Sequence, residues 1–400
     1  MKCRKMSLKL VLKISAVAGS IVLLIYWIYS GTLHSPANRY RLLNTYMKHS
    51  GDKSDTKFIL FYNNYFEDPF WRMDRDTCNA TYLKQLKCPK TNCVFTSKKN
   101  LLQNVEKYDA IVFHAAESWF HSDVPKRRSP HQVYIMASKE SPGEIKREMG
   151  QNNDFYNLTM TYRLDSDIGW HYGTTTDLAS RHVVAPSINV NWKEPDENFE
   201  DETILEIVNR KTRMAAWFVS HCNVISRRDE LAKNLQKFVD VDIFGKCGNL
   251  TCEYKSSKCD DMLNESYRFY LAFENTLCID YLTEKLFNTL SHFIIPIVYS
   301  GAEISRFLPP KSYINVEDFD SAEELANYLK FLTKHPEEYV KYFWWKKHYK
   351  IKSIDDVDYC AICQKLNEPN FSSKLQVYHS IKEWFYRDAC RNPNIKILNN

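Results

Sequence analysis

The stretch from Arg268 to Gly301, RFYLAFENTLCIDYLTEKLFNTLSHFIIPIVYSG, constrains the fold of this chain more tightly than any other segment. Its apolar run Phe269–Phe273 has the length and aromatic content of a buried strand. A polar loop follows, carrying Glu274, Asn275, Asp280, Tyr281, Thr283, Glu284 and Lys285. The pattern then predicts a helix over Thr283–Phe293 and a second buried strand over Ile294–Tyr299, closed by Gly301. Strand, helix and strand in that order make a βαβ unit. Ligands of open α/β sheets sit at the carboxyl ends of strands, so the loop after Phe273 marks a binding site.

At 400 residues the chain is long enough for two domains of ordinary size. The formal net charge of +5 is small, and Lys and Arg are interleaved with Asp and Glu. No basic stripe points to nucleic acid. With ten glycines, and neither GxGxxG nor GxxxxGK[ST], a dinucleotide or P-loop site is excluded as a first reading.

Residues Lys2, Arg4, Lys5, Lys9 and Lys13 precede an uncharged run, Ile14–Tyr29. With Val11 and Leu12 this gives a span over 11–29, close to the ~20 residues a bilayer needs. Tyr26, Trp27 and Tyr29 suit an interfacial belt, and the basic flank predicts a cytosolic tail over 1–10. The expectation is a single-pass type II anchor, with a short polar stem over 30–55 and a luminal remainder. A signal peptide cleaved near Ser35-Pro36-Ala37 is the weaker alternative. Five N-x-[ST] sequons follow the span, at Asn79, Asn157, Asn249, Asn264 and Asn370. Eleven of the twelve cysteines lie beyond it as well, which favours disulfides.

The luminal part reads as two α/β halves. Lys57–Tyr62, Asp109–His114 and Gln132–Ala137 have strand patterns in a first domain, 56–195. Met214–Ser220, Val239–Phe244 and the opening pair of strands belong to a second, 196–350, followed by a tail over 351–400. The acidic segment Trp192–Asp201 reads as the linker. Ser226 with Asp229 resembles a capping box, predicting a helix over Ser226–Phe238.

Arg227 and Arg228 in that helix's first turn, and Lys285 at the next helix start, oppose the helix dipole. A bound phosphate explains cations there better than helix stability does. Asp165-Ser166-Asp167 matches the D-x-D of metal-dependent sugar-nucleotide sites, but Asp240-Val241-Asp242 and Asp356-Val357-Asp358 match it equally well. Cys360-x-x-Cys363 has no second such pair beside it, so disulfides are preferred to zinc, with pairing open. The aromatic run Tyr342–Trp345 reads as core. Glu140 ends a strand and precedes Ser141-Pro142-Gly143, a strand-edge position suited to a general base.

These residues reach a known family. The chain resembles the animal Golgi α-1,3-fucosyltransferases of glycosyltransferase family ten. Their donor motif, roughly FENS-x4-DYxTEK with a following helix and strand, appears as Phe273-Glu274-Asn275-Thr276, Asp280-Tyr281-Leu282-Thr283-Glu284-Lys285 and Ile295–Gly301. Met160–Arg163 with Asp165–Ile168, Trp217–Ser220 and Val241–Gly248 match in order, so the likeness covers about residues 55 to 390.

The resemblance implies a GT-B fold, two Rossmann-like domains facing a cleft, behind one transmembrane helix in the Golgi membrane. It implies GDP-fucose contacts from Asn275, Tyr281, Glu284 and Lys285, with Lys285 and Arg228 at the pyrophosphate. Glu140 would be the general base of an inverting transfer to a GlcNAc hydroxyl on glycoprotein or glycolipid glycans. No metal would be obligatory, although Mn or Mg can stimulate. Cys88 and Cys93 resemble cysteines that bond to the Cys360-x-x-Cys363 pair. Thr276 replaces the usual Ser, and Gly169-Trp170-His171 stands where the family often has Pro, which bears on acceptor choice. The rivals are a metal-dependent GT-A enzyme using Asp165 and Asp167, and a silent glycan-binding protein.

Overall fold

The structure is a computed structural model of the chain. It describes residues 55–73, 76–116, 124–145, 153–252, 257–369, 371, 376–394 and 397. The expected cytosolic tail, membrane span, the stem to residue 54 and the sequon at Asn370 lie outside these. No helix among the described residues is long and apolar enough to cross a membrane. The chain is a mixed α/β protein built on sheets of parallel strands, in two compact units.

The first unit takes in residues within 1–112, 121–133 and 359–374. Its strands are β1 (Lys57–Phe61), β2 (Thr77–Cys78), β3 (Cys93–Thr96) and the first three residues of β4 (Ala110–His114), ordered β2-β3-β1-β4. β1 runs parallel to β3 and β4, while the short β2 lies antiparallel at the edge. The continuous apolar run of β4 is buried throughout, as a parallel strand covered on both faces requires. Asn79 caps the helix Ala80–Gln85 by accepting from the Thr81 amide at 3.0 Å.

A late segment completes this unit. The helix Tyr359–Leu366 is bonded back to it through Cys88–Cys360 and Cys93–Cys363, which settles the pairing that sequence left open. Tyr359 packs edge-on against Phe61, Phe95 and Tyr82, and its hydroxyl donates to the Trp71 carbonyl. Cys78 remains a buried thiol.

The second unit takes in residues within 113–120, 134–358 and 375–400. β5 (Val133–Ser138), β6 (Leu158–Thr161) and β7 (Ile168–Gly169) are parallel neighbours. β8 (Gly173–Asp177) and β9 (Val183–Ala185) follow, then a fully parallel sheet of β10 (Arg213–Phe218), β11 (Val241–Phe244), β12 (Tyr267–Phe273), β13 (Ile295–Tyr299) and β14 (Ile314–Asn315). β15 (Tyr349–Ser353) returns antiparallel to β8.

The five-stranded sheet has the order β11-β10-β12-β13-β14. From β10 the chain steps outward to β11, then crosses back to β12 and continues the other way. Strand order therefore reverses between β10 and β12. In a doubly wound sheet that reversal splays the two following loops apart and opens a crevice at their carboxyl ends. The loop singled out from sequence begins at one side of this crevice.

Two helix expectations need correction. The helix after Tyr281 runs only over Glu284–Thr289, not to Phe293. The Phe293 amide is captured by Asn264 Oδ1 at 2.9 Å, so it is lost to the helical ladder. The helix expected from Ser226 starts at Arg228, and Ser226 does not cap it. The segment Trp192–Asp201 is without strand or helix, but Trp192 packs on Tyr349 and Phe199 is buried. Tyr342–Trp345 are buried, as expected of core residues.

Candidate active site

The site begins with the backbone at the end of β12. Three successive carbonyls there are taken by the loop after β10. Arg228 donates to the Phe273 carbonyl at 2.7 Å, the Ser226 hydroxyl to that of Glu274 at 2.7 Å, and the Ser226 amide to that of Asn275 at 3.1 Å. The Glu274 amide turns the other way, to the Tyr299 carbonyl at 2.9 Å. Ser226 is fully buried and Arg228 nearly so. A hydroxyl that looks like a helix cap in sequence is spent on joining the two strand ends, because buried carbonyls need donors.

The cap position falls to Arg227, in left-handed backbone at φ 54° without a side-chain cap. Its guanidinium pairs with Glu230. That exposed ion pair gives this cation a partner within its own helix. Arg228 also donates to the His221 carbonyl at 2.9 Å, which leaves only its Nε without a partner among the described residues. Burial holds its guanidinium below the usual arginine range, against the pull of Glu274.

Glu274, which the sequence reading did not single out as a site residue, is the buried centre of the loop. Its carboxylate accepts from the Thr283 amide at 2.8 Å, the Thr283 hydroxyl at 3.1 Å and Lys285 Nζ at 3.2 Å. Lys285 also donates to Thr283 Oγ1 at 2.8 Å and to Glu284 Oε1 at 3.4 Å. Burial works to discharge Lys285, but Glu274 and Glu284 overcome it and hold the ammonium above the usual lysine range. The hints in sequence were its place directly after an apolar strand and within the Phe273–Thr276 match.

Tyr281 is fully buried, edge-on to Tyr162 at 4.8 Å and to Tyr172 at 6.2 Å between ring centres. Its hydroxyl donates to Glu140 Oε2 at 3.2 Å. Glu140 stands in the turn after β5, where the Ser141 hydroxyl meets Thr276 Oγ1 at 2.7 Å. A Cβ at Gly143 would approach Thr276 Cγ2 to 2.7 Å, so this turn lies directly on the β12 loop. Burial pushes the Glu140 carboxyl up, with Glu284 adding to it; Lys285 and the Tyr281 hydroxyl oppose them without cancelling. A carboxylate raised in this way is a stronger base than one in water.

The structure thus brings Glu140, Tyr281, Glu284 and Lys285 together, with Arg228 behind the same strand end. Asn275 is nearly buried at the head of the loop, and its Oδ1 has no partner among the described residues. A further brace was not legible in sequence. Cys278 is bonded to Cys390, flanked by the Ile279 amide on the Ala389 carbonyl at 2.7 Å and the Arg391 amide on the Leu277 carbonyl at 2.9 Å.

The D-x-D segment is built differently from a metal clamp. Asp165 pairs with Arg163, and Asp167 accepts from the Thr159 amide and hydroxyl, Tyr378 and Gln376. Four internal donors occupy the carboxylate a metal would need. Cys222, Asp229 and Cys247 lie together, but the two sulfurs are bonded to each other. Among the sequons, Asn249 is exposed, whereas Asn157 is buried with its amide spent on Tyr134 and Gln376. No glycan fits on Asn157 in the folded chain. Asn79 and Asn264 each use their Oδ1 as an acceptor.

Fold and site together define a doubly wound α/β protein with a paired acid and phenol beside a cation-bearing loop at the topological switch. Two family models match: "Fucosyltransferase, N-terminal" over residues 54–173, and "Glycosyltransferase family 10 (fucosyltransferase) C-term" over residues 208–384. Alpha-(1,3)-fucosyltransferase C of Drosophila melanogaster is 43% identical over 358 residues, covering 88% of this chain and 84% of that protein. Alpha-(1,3)-fucosyltransferase fut-1 of Caenorhabditis elegans is 34% identical over 287 residues, covering 69% of this chain and 61% of that protein. A crystal structure of an alpha1,3-fucosyltransferase with GDP-fucose aligns at a TM-score of 0.45 and 17% identity, over 87% of this chain and 94% of that one. The chain belongs to glycosyltransferase family 10, the fucosyltransferases.

Proposed function

We propose that this chain transfers fucose from GDP-β-L-fucose to a GlcNAc hydroxyl in α-1,3 linkage, with inversion at the anomeric carbon. The Tyr281–Glu140 hydrogen bond carries the reading, because it joins the candidate base to the loop bearing the donor motif. Glu140 takes the proton of the acceptor hydroxyl. That oxygen attacks the anomeric carbon from the face opposite the nucleotide, and the bond to the β-phosphate oxygen breaks with its electron pair leaving on GDP. The product is an α-fucoside.

The departing diphosphate gains charge as that bond breaks. Lys285, held charged by its carboxylates, stands at the loop to stabilise it. Glu284 and Asn275 would contact the sugar or ribose hydroxyls. Arg228 shapes the loop with one donor of each terminal nitrogen, on the Phe273 and His221 carbonyls, and its remaining donors would face the pyrophosphate. No divalent metal is needed; the occupied Asp167 supports this, and Mn or Mg would act only as a stimulant.

The same proposal includes the GT-B architecture, supported by the doubly wound order of the β10–β14 sheet. It also includes a type II Golgi anchor over 11–29, supported by the uncharged run and the disulfides, and acceptors on glycoproteins or glycolipids. The test is incubation of the luminal part with GDP-fucose against the N-glycan chitobiose core, LacNAc and LacdiNAc, with and without EDTA. Formation of an α-1,3-fucoside in both conditions is expected. No transfer to any acceptor, or transfer only with metal, would overturn it.

A further inference from the structure

The transfer proposed above makes no use of Glu274, the most deeply buried charge-bearing group beside the site. We infer that Glu274 is a positioning residue, which holds the Lys285 ammonium charged and aimed while fixing the first turn of the Glu284–Thr289 helix. The inference rests on the donor-site reading of Lys285.

The geometry supports both halves. Glu274 Oε1 accepts from the Thr283 amide, so one oxygen ties down the residue that precedes the helix. Oε2 accepts from both Thr283 Oγ1 and Lys285 Nζ. Thr283 Oγ1 in turn accepts from Lys285, which closes a triangle of hydroxyl, ammonium and carboxylate. Such a triangle restricts the rotamers of a side chain that otherwise has four flexible bonds. The Lys285 side chain is 20% exposed and that of Glu274 0%, so the cation has one open side and is gripped from beneath.

The other groups acting on Lys285 do not replace this grip. They are Glu284 on its own helix, Glu140 in the turn after β5, Arg228 on the helix after β10, and Tyr270 on β12. Glu284 reaches the ammonium only at 3.4 Å, and its side chain is 47% exposed. Arg228 repels the ammonium. Glu274 is thus the nearest acid and the best shielded from solvent; burial pushes its own carboxyl up, while Lys285 and the two Thr283 donors favour its charge.

The experiment is calorimetric titration with GDP from pH 7 to 10, for the natural protein, Glu274→Gln, Lys285→Met and the double variant. The amide keeps an acceptor for Thr283 but removes the charge. Lys285 of the natural protein stays charged across this range, so relative to the natural protein Glu274→Gln should lose GDP affinity toward pH 10, by about tenfold or more. In the Lys285→Met background the same change should have no further effect on the alkaline limb. A Glu274→Gln variant that folds and titrates like the natural protein overturns the inference, as does an equal effect in both backgrounds. If Glu274→Gln fails to fold, the double variant decides. Recovery of folding there supports the pairing, because no unmatched buried cation is left; failure there too assigns Glu274 to Thr283 alone and overturns it. Absence of GDP binding by the natural protein would instead overturn the donor-site reading.

Discussion

Tyr281 donates its phenol proton to Glu140 across 141 residues of sequence, at 3.2 Å. The phenol is buried against Tyr162 and Tyr172 and has little freedom to turn away. The bond aims one carboxylate oxygen of Glu140 and leaves the other unclaimed by this contact. It also favours the ionised form of an acid that burial disfavours. Burial sets most of the base strength, and the loop that carries Lys285 trims it and orients the base.

Replacing Glu140 by Gln removes the proton acceptor and keeps the shape. Turnover should fall roughly 10²- to 10⁴-fold, the usual contribution of a general base. GDP affinity should stay within about twofold, since Glu140 is not expected at the diphosphate. Kinetics and titration of one preparation check both, and undiminished turnover would end the assignment.

Tyr281→Phe removes the donor to Glu140. That donor lowers the pKa of a carboxyl already raised by burial, so its loss raises the pKa further. A base must be deprotonated to act. The acid limb of the kcat/KM profile should therefore move to higher pH, with the largest loss of rate at acid pH. A limb that stays in place, or moves to lower pH, contradicts the contact.

Ser226→Ala separates the capping expectation from the observed role. The variant strips the buried Glu274 carbonyl of its side-chain donor. A loss of about 1–3 kcal/mol in unfolding free energy is expected, the cost of an unsatisfied buried group. Donor affinity should weaken with it, because the β12 loop loses one of its three ties to the chain after β10. Measured stability equal to that of the natural protein would mean the contact is not made in solution.

Changing Cys278 and Cys390 together to Ser leaves the β12 loop held to the residues around Ala389 by two backbone hydrogen bonds alone. The bond closes a separation of 112 residues. The chain-entropy model gives roughly 4–5 kcal/mol for a loop of that order. Denaturant unfolding should register most of this loss, and the donor KM should rise. An unchanged donor KM in the folded variant would limit the bond to global stability.

The parallel α/β character, the strand ends and the identity of the loop after Phe273 were legible in sequence, because buried parallel strands leave unbroken apolar runs and their loops collect the polar groups. Local pattern also marked Glu140, Tyr281 and Lys285. What the linear order could not supply was partnership. Ser226 has the spacing of a helix cap, yet it serves the Glu274 carbonyl on another strand, a choice made only once β10 and β12 lie side by side. Glu274 looked like one more loop acid until burial stripped away its water and made the Thr283–Lys285 contacts obligatory. Cys278–Cys390 and Tyr281–Glu140 join distant positions through packing alone. Sequence by itself determined which residues cluster in the loop after Phe273 and in what kind of fold. Tertiary structure decided which of them are spent on holding the loop and which remain to meet a substrate, because that division depends on burial and on which buried donors and acceptors must pair.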